Sequence, residues 1–273
     1  MNPEENKLNI PVYSEQVAKG KYPEYLLWIG CAGSYDDRYK KVIHSFIRIL
    51  NTAKIDFAVL GPEEACTGDP ARRAGNEFLF QMQALSNIQI LNQYKVKKIL
   101  TSCPHCYNTF KNEYPSLGGS YEVIHHSQLI EKLIDTGHLK TSDQQEFSGK
   151  RITYHDSCYL GRSNNIYNSP RKVLESMKNE LVEMSRNKAD GLCCGAGGAQ
   201  LFKEAEKGKK EIYMERTEEA IRTRADIIAT ACPFCLTMMS DGVKNSEKES
   251  EISVYDIVEL IDMAGKSRID PGE

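Results

Sequence analysis

TSCPHCYNTF at 101–110 and TACPFCLTMM at 230–239 are one stretch written twice. Each places a Cys-Pro-x-Cys box directly after an apolar run, VKKILTS (96–102) in the first case and ADIIATA (225–231) in the second. The agreement extends outward. A spacing of 129 residues separates Cys103 from Cys232 and Cys106 from Cys235, and 127 separates Cys31 from Cys158, Cys66 from Cys193 and Gly68 from Gly195. The ninth cysteine, Cys194, stands opposite Thr67. The chain therefore reads as two copies of one unit of about 120 residues.

The pattern between the cysteines repeats as well. YLLWIG (25–30) and RITYHD (151–156) are apolar runs that read as buried strands, followed by DFAVL (56–60) and ELVEM (180–184), the two box-leading runs, and YEVIH (121–125) and EISVY (251–255). A helix is predicted at 38–51, where Val42, Ile43, Phe46, Ile47 and Leu50 share one stripe, and another near 76–93 with Phe78, Met82, Leu85 and Leu91 on its inner side. The partner of that second helix is predicted near 205–222, and DGVKNSEKES (241–250) reads as a loop. Strands alternating with helices imply parallel sheets with right-handed crossovers. The expectation is an α/β fold of two tandem, pseudo-symmetric parallel-sheet repeats, with the cysteine loops at the carboxyl edges of the strands. The divisions are an N-terminal extension at 1–23, a first cysteine-rich repeat at 24–137, a polar linker at 138–150 and a second repeat at 151–265.

Composition narrows the function. The chain has 273 residues, a net charge of −3 and 40% hydrophobic residues, enough for two packed domains and too little basic excess for a nucleic-acid surface. No apolar run approaches the roughly 20 residues that span a bilayer. MNPEENKLNIPVY lacks the basic-then-apolar order of a secretory signal, so a cytoplasmic location is expected. In a reducing compartment nine cysteines are not disulfide staples; they are metal ligands or redox groups.

Ligands of open parallel sheets gather beyond the carboxyl ends of the strands, which is where every cysteine of a repeat is predicted to fall. Pro104 and Pro233 suit the first turn of a helix, whose free N–H groups and dipole favour thiolate. Gly195, Gly197 and Gly198 leave room for close backbone approach after Cys193-Cys194. No G-x-G-x-x-G is matched, so no dinucleotide site is proposed. Four thiols in the first repeat suit zinc or a [4Fe–4S] cluster; a lone C-x-x-C is also a redox pair. The second repeat has five, one more than tetrahedral zinc uses.

The pattern Cys-x34-Cys-Cys-Gly-x36-Cys-x-x-Cys over 158–235, with its degenerate copy at 31–106, resembles the cysteine-rich CCG domain family. That family includes the heterodisulfide reductase B subunit, the glycerol-3-phosphate dehydrogenase C subunit, lactate-utilisation iron–sulfur proteins and FadF-type oxidoreductases. CTGDPARRAGNEFLFQ (66–81), HDSCYLGR (155–162) and TACPFCLTM (230–238) look most like the FadF-type and heterodisulfide-reductase-related group, and the resemblance covers about 25–262. It implies an iron–sulfur electron-transfer subunit of an oxidoreductase complex. By the same resemblance, Cys158, Cys193, Cys194, Cys232 and Cys235 would hold a [4Fe–4S] cluster, in heterodisulfide reductase a noncubane one that cleaves a disulfide in one-electron steps. Thr67 breaks the five-cysteine motif in the first repeat, so Cys31, Cys66, Cys103 and Cys106 would hold an ordinary cluster or zinc. Longer relatives carry a ferredoxin-like segment and sometimes membrane helices. This implies a separate ferredoxin-like iron–sulfur subunit as partner, with peripheral attachment to the inner face of the membrane through it, and a flavoprotein as a further partner. The rival readings are a non-catalytic zinc scaffold and a metal-free thiol/disulfide reductase.

Three residues are the catalytic candidates. His155, three residues before Cys158, is a hydrogen-bond donor or proton donor to the site, with Asp156 beside it; Trp28 holds the matching place in the first repeat. Arg72, next to Arg73, either binds an acidic substrate or cluster charge, or is a salt-bridged helix start. Arg162 has the same two readings. His105 reads as a loop residue rather than a ligand, and His125 and His126 as the start of a helix. Met184, Met214, Met238 and Met239 read as core, and KEAEKGKKEIYMER (203–216) as a solvated helix face.

Overall fold

Short apolar runs without polar alternation need cover on both faces, which a parallel sheet flanked by helices supplies. The structure, a computed structural model, describes residues 8–141, 147, 149–204 and 208–266. The first half holds β1 (Tyr25–Trp28), β2 (Phe57–Ala58), β3 (Lys98–Thr101) and β4 (Glu122–His125), and the second β5 (Arg151–Tyr154), β6 (Glu180–Leu181), β7 (Ile227–Thr230) and β8 (Ser253–Asp256). They form two four-stranded sheets, ordered β2-β1-β3-β4 and β6-β5-β7-β8, with every pairing parallel. The register repeats too: Leu27 pairs with Leu100, and Tyr154 with Ala229. The expected α/β architecture of two parallel-sheet repeats is the one observed.

The helices are α1 (Tyr13–Ala18), α2 (Gly30–Tyr35), α3 (Asp37–Thr52), α4 (Asp69–Arg73), α5 (Glu77–Gln93), α6 (Pro104–Asn108), α7 (His126–Asp135), α8 (Asn168–Glu175), α9 (Ile212–Arg222), α10 (Pro233–Asn245) and α11 (Ile257–Lys266). Asp36 caps α3 by accepting from the amides of Arg38 and Tyr39, which sets where its apolar stripe begins. That stripe, with Val42, Phe46 and Leu50 buried, turns towards the other repeat. There α3 packs on α11 and α7 on α8. Phe46 and Ile130 join Leu174, Ile257 and Ile261 in one cluster, so the two units share a core. Each such buried side chain contributes about 1.5–3 kcal/mol. The salt bridges Arg38–Glu259 (2.6 Å) and Arg48–Asp262 (2.5 Å) close its rim.

Several expectations are corrected. The helix at 76–93 forms, but Phe80, Ala84, Ile88 and Leu91 face inward while Phe78, Met82 and Leu85 are exposed. Apolar residues lie on two sides of this helix at helical spacing, so periodicity alone does not choose between them. Residues 241–245 continue α10 instead of forming a loop, and α9 begins at Ile212. Residues 12–18 are not a free extension: Val12 bridges to Val59 and Tyr13 is buried. In the 203–216 run Arg216 is fully buried, against the reading of a solvated face. Residues 205–207 of that run, 142–146 and 148 of the linker, and 1–7 of the extension lie outside the described residues.

Candidate metal centres

Strand ends deliver the cysteines. In the second repeat β5 runs into His155-Asp156-Ser157-Cys158, and β7 into Cys232, which caps α10 with Pro233 at its first position. Cys193 and Cys194 arrive on the loop after β6. Asp156 and Arg162 pin that loop. The Asp156 carboxylate accepts both Arg171 guanidinium bonds at 2.8 Å and the Lys188 amide at 2.7 Å, and Arg162 donates to the Gly191 carbonyl at 2.7 Å. Arg162 therefore fixes the approach to Cys193 from the Cys158 turn.

Two pairs of sulfurs are in contact. Cys158 Sγ is 4.0 Å from Cys193 Sγ, and Cys194 Sγ is 3.4 Å from Cys235 Sγ. Cys193 is next to Cys194 in the chain, and Cys232 caps the helix whose first turn carries Cys235. Cys194, Cys232 and Cys235 are buried, Cys158 and Cys193 partly so, and all nine cysteines of the chain are free thiols.

The first repeat builds the same cage with one sulfur fewer. Cys31 opens α2, Cys103 caps α6 with Pro104 at its first position, and Cys66 lies on the loop after β2. Cys66 beside Cys31 and Cys103 beside Cys106, together with burial, push the thiols of Cys31 and Cys106 up. Thr67 Oγ1 donates to Cys106 Sγ at 3.8 Å. Glu64 holds the Cys31 turn by accepting from the amides of Gly30 (2.6 Å) and Ile29 (3.0 Å).

One backbone device recurs in both loops. Gly68 and Gly195 have φ of +89° and +88°, and each points its amide at the cysteine two residues back, Gly68 to Cys66 at 3.4 Å and Gly195 to Cys193 at 3.3 Å. A side chain disfavours this left-handed conformation. The cysteines at these matched places are both shifted towards thiolate, as Cys232 is too. The Cys31 thiol and the Gly68 amide bring Cys66 down to about 7, against burial. The thiols of Cys158 and Cys194, then the Gly195 amide, hold Cys193 far below the ordinary thiol range.

His155 faces the second cage. Arg216 Nε donates to its Nδ1 at 3.0 Å. Arg216 in turn is fixed by the Arg186 carbonyl at 2.7 Å and Glu219 at 3.0 Å. Burial, then the Arg216 charge, hold the imidazole down to about 3, so it is neutral. Because a guanidinium does not give up its proton, Nδ1 accepts and the ring proton resides on Nε2. Nε2 has no hydrogen-bond partner, and a ring nitrogen lies within 4.8 Å of the Cys194 and Cys235 sulfurs. Sequence reasoning missed Arg216; nothing distinguishes it from the other charges of its run.

The remaining candidates are otherwise engaged. Arg72 pairs with Glu113 (2.8 Å) and Glu77 (3.3 Å) and lies over the Phe80 ring, so carboxylates already occupy its guanidinium. Arg73 pairs with Asp69 and Glu113. Trp28, opposite His155 in the repeat, packs edge-on against Phe110 in the first core. His125 caps α7 and His126 Nε2 lies 3.0 Å from Asp256 Oδ1, where the ends of β4 and β8 meet. His105 is buried against the second repeat, with Nδ1 2.8 Å from Asp69 Oδ2 and its ring 4.8 Å from that of Phe234, the residue after Pro233 in the second box. No described helix is long and apolar enough to cross a membrane.

The profile of the CCG cysteine-rich domain matches residues 25–111 and 152–240. The chain is 46% identical over 248 residues to an EtfAB:quinone oxidoreductase of Syntrophomonas wolfei, matching 89% of this chain and 34% of that protein. It is 46% identical over 253 residues to a probable iron-sulfur-binding oxidoreductase FadF of Bacillus subtilis, covering 92% and 35%. With the dihydromethanophenazine:CoB–CoM heterodisulfide reductase D subunit of Methanosarcina barkeri the identity is 34%, covering 87% and 58%. The chain thus spans about a third of the length of the first two relatives and over half of the third. Two matches to the family profile, in register with the two cysteine cages, identify the chain as a member of the cysteine-rich CCG domain family, carrying the domain twice.

Proposed function

We propose that this chain is the iron–sulfur electron-transfer part of a heterodisulfide-reductase-related oxidoreductase, with a [4Fe–4S] cluster held by Cys158, Cys193, Cys194, Cys232 and Cys235. The observation that carries this reading is the delivery of five cysteines to one sheet edge with two sulfur–sulfur contacts, Cys158–Cys193 and Cys194–Cys235. Two thiolates on one tetrahedral ion with metal–sulfur bonds of about 2.3 Å sit roughly 3.8 Å apart. Cys158–Cys193 at 4.0 Å and Cys194–Cys235 at 3.4 Å are two such pairs, with Cys232 in addition. That donor set exceeds a single zinc ion. It also departs from one thiolate per iron, which favours a noncubane arrangement.

A cluster bound there takes up and releases one electron at a time. The chain's own residues prepare the site. The Gly195 amide and the neighbouring thiols keep Cys193 ionised for binding, and burial of Cys194, Cys232 and Cys235 excludes water. His155 keeps its ring proton on the unpartnered Nε2 and supplies a hydrogen bond to a sulfur of the site. The four thiols of the first cage hold a second cluster or a zinc ion. A mostly apolar cleft of about 370 Å3 lined by Cys31, Tyr35, Phe202 and Phe234 lies beside the first cage and the second box, and receives the reacting group of a donor or acceptor. The names of the relatives support a quinone- or disulfide-linked chain of electron transfer. A ferredoxin-like iron–sulfur unit and a flavoprotein are the partners we assign, on the cytoplasmic side of any membrane that the complex reaches.

Anaerobic purification with iron, sulfide and zinc analysis, followed by electron paramagnetic resonance, tests the reading. At least about four iron and four sulfide per chain are expected. A colourless protein with about two zinc ions would make the chain a scaffold. A metal-free protein with nine titratable thiols and chelator-resistant activity would make it a dithiol reductase.

A further inference from the structure

The pseudo-symmetry brings the variable residues of the two boxes face to face. His105 in Cys103–Cys106 corresponds to Phe234 in Cys232–Cys235, and their ring centroids are 4.8 Å apart across the junction of the repeats. The other neighbours of His105 also lie within three residues of a candidate ligand. Its ring lies on Tyr159, next to Cys158, at 4.3 Å, and Asp69, three residues after Cys66, holds Nδ1 at 2.8 Å. Asp69 is itself steadied by Arg73 at 2.9 Å. With Nδ1 committed to the carboxylate, the other ring nitrogen is the one free to turn to Cys232, which opens the box that carries Phe234. Phe234 occupies the mirrored place and has no donor to return to Cys103.

We propose that His105, a residue of the first box, is a positioning residue for the second centre. Oriented by Asp69, it donates to the Cys232 ligand and makes the second centre easier to reduce than it is without that bond, whereas Phe234 offers Cys103 none. The inference rests on the cluster assignment of the preceding subsection. The physics is the general one for thiolate-ligated clusters: an N–H···S bond stabilises the added electron, and the potential rises. Burial on both flanks by Tyr159 and Phe234 strengthens the bond by keeping water from competing for the sulfur.

The test is potentiometry with electron paramagnetic resonance on the anaerobic chain, comparing wild type, His105→Phe and His105→Gln. The signal of the second centre is the one that Cys194→Ser alters. His105→Phe makes the two boxes alike. Iron and sulfide should stay at wild-type levels, while the reduced-to-oxidised ratio of the second centre at a fixed potential falls about tenfold, equivalent to 59 mV for one electron. His105→Gln, which keeps an N–H donor, should lie between the two. An unchanged potential and spectrum in His105→Phe overturns the proposal. Should that variant fail to fold, Asp69→Asn decides in its place: it keeps the shape and weakens the orientation of the ring, and a shift of the same sign supports the proposal while none overturns it. A wild-type protein without any iron–sulfur signal instead removes the cluster assignment, a failure distinct from an unmoved potential.

Discussion

The Thr67 hydroxyl meets the Cys106 sulfur at 3.8 Å, in the place from which Cys194 meets Cys235 at 3.4 Å. The two cages therefore share a plan and differ by one side chain. A hydroxyl in this position donates a hydrogen bond to the Cys106 sulfur, whereas a thiolate there would be able to coordinate a metal. The difference falls on one atom of a fixed frame, since the flanking Gly68 and Gly195 hold the same backbone conformation.

Cys194→Ser should accordingly change the electronic signature of the bound cluster more than serine replacement at any of Cys31, Cys66, Cys103 or Cys106. Electron paramagnetic resonance reads this directly, and an unchanged spectrum refutes five-sulfur ligation. Thr67→Cys should move the first site towards the second, because the new sulfur is delivered by an already matching loop.

Arg216 is buried without any exposed surface and joins His155 to Glu219. Arg216→Leu leaves Glu219 with only Ser185 and the Arg186 side chain and amide, so a loss of about 3 kcal/mol is expected in denaturant melts, at the lower end for a broken buried pair. Nitrogen chemical shifts of His155 should show the ring proton no longer confined to Nε2. A stable variant with the same tautomer would show that Arg216 does not orient the ring.

Burial raises Asp256 from 3.8 to about 8. The folded protein then binds a proton that the unfolded chain has released, and stability falls as pH rises towards 8. Burial lowers His126 to about 3, which costs stability only below its ordinary value of 6.5 as pH falls. Between about pH 6.5 and 7.5 Asp256 alone of the pair acts, with a slope of at most about 1.4 kcal/mol per pH unit. Asp256→Asn should flatten melting temperature against pH in that window. A slope equal to wild type would refute the protonated carboxyl.

The exposed side of α5 carries Phe78, Met82 and Leu85 at 77%, 54% and 51% exposure, whereas Phe80 is at 1%. Serine at each of the three exposed positions should change stability by about 0.5 kcal/mol or less, while Phe80→Ala should cost about 3–5 kcal/mol. Thermal melts separate the two sides, and a large loss from Met82→Ser would reverse the assignment of the inner face.

What was legible in the chain is what spacing carries. Equal offsets between Cys31 and Cys158 and between Cys66 and Cys193 require the same path between equivalent strands. The parallel order, the repeat and the gathering of cysteines at the sheet edges all follow from that path. The buried face of α5 was not legible, because Phe78-Met82-Leu85 and Phe80-Ala84-Ile88 satisfy helical spacing equally well. Arg216 was hidden for a similar reason, since a charge within a charged run carries no local mark of burial.

The linear order of residues by itself determined the two-fold repeat and the strands that end at cysteines, since these depend on local periodicity and chain separation. It also determined the composition of each cage, five thiols against four and a hydroxyl. Only tertiary structure decided which residues cross between the repeats: His105 on Phe234, His126 on Asp256, and α3 on α11. Contacts across the junction join residues 130 positions apart in His126–Asp256 and 221 apart in Arg38–Glu259, with no local periodicity to announce them. They arise from the angle at which two packed sheets share one core.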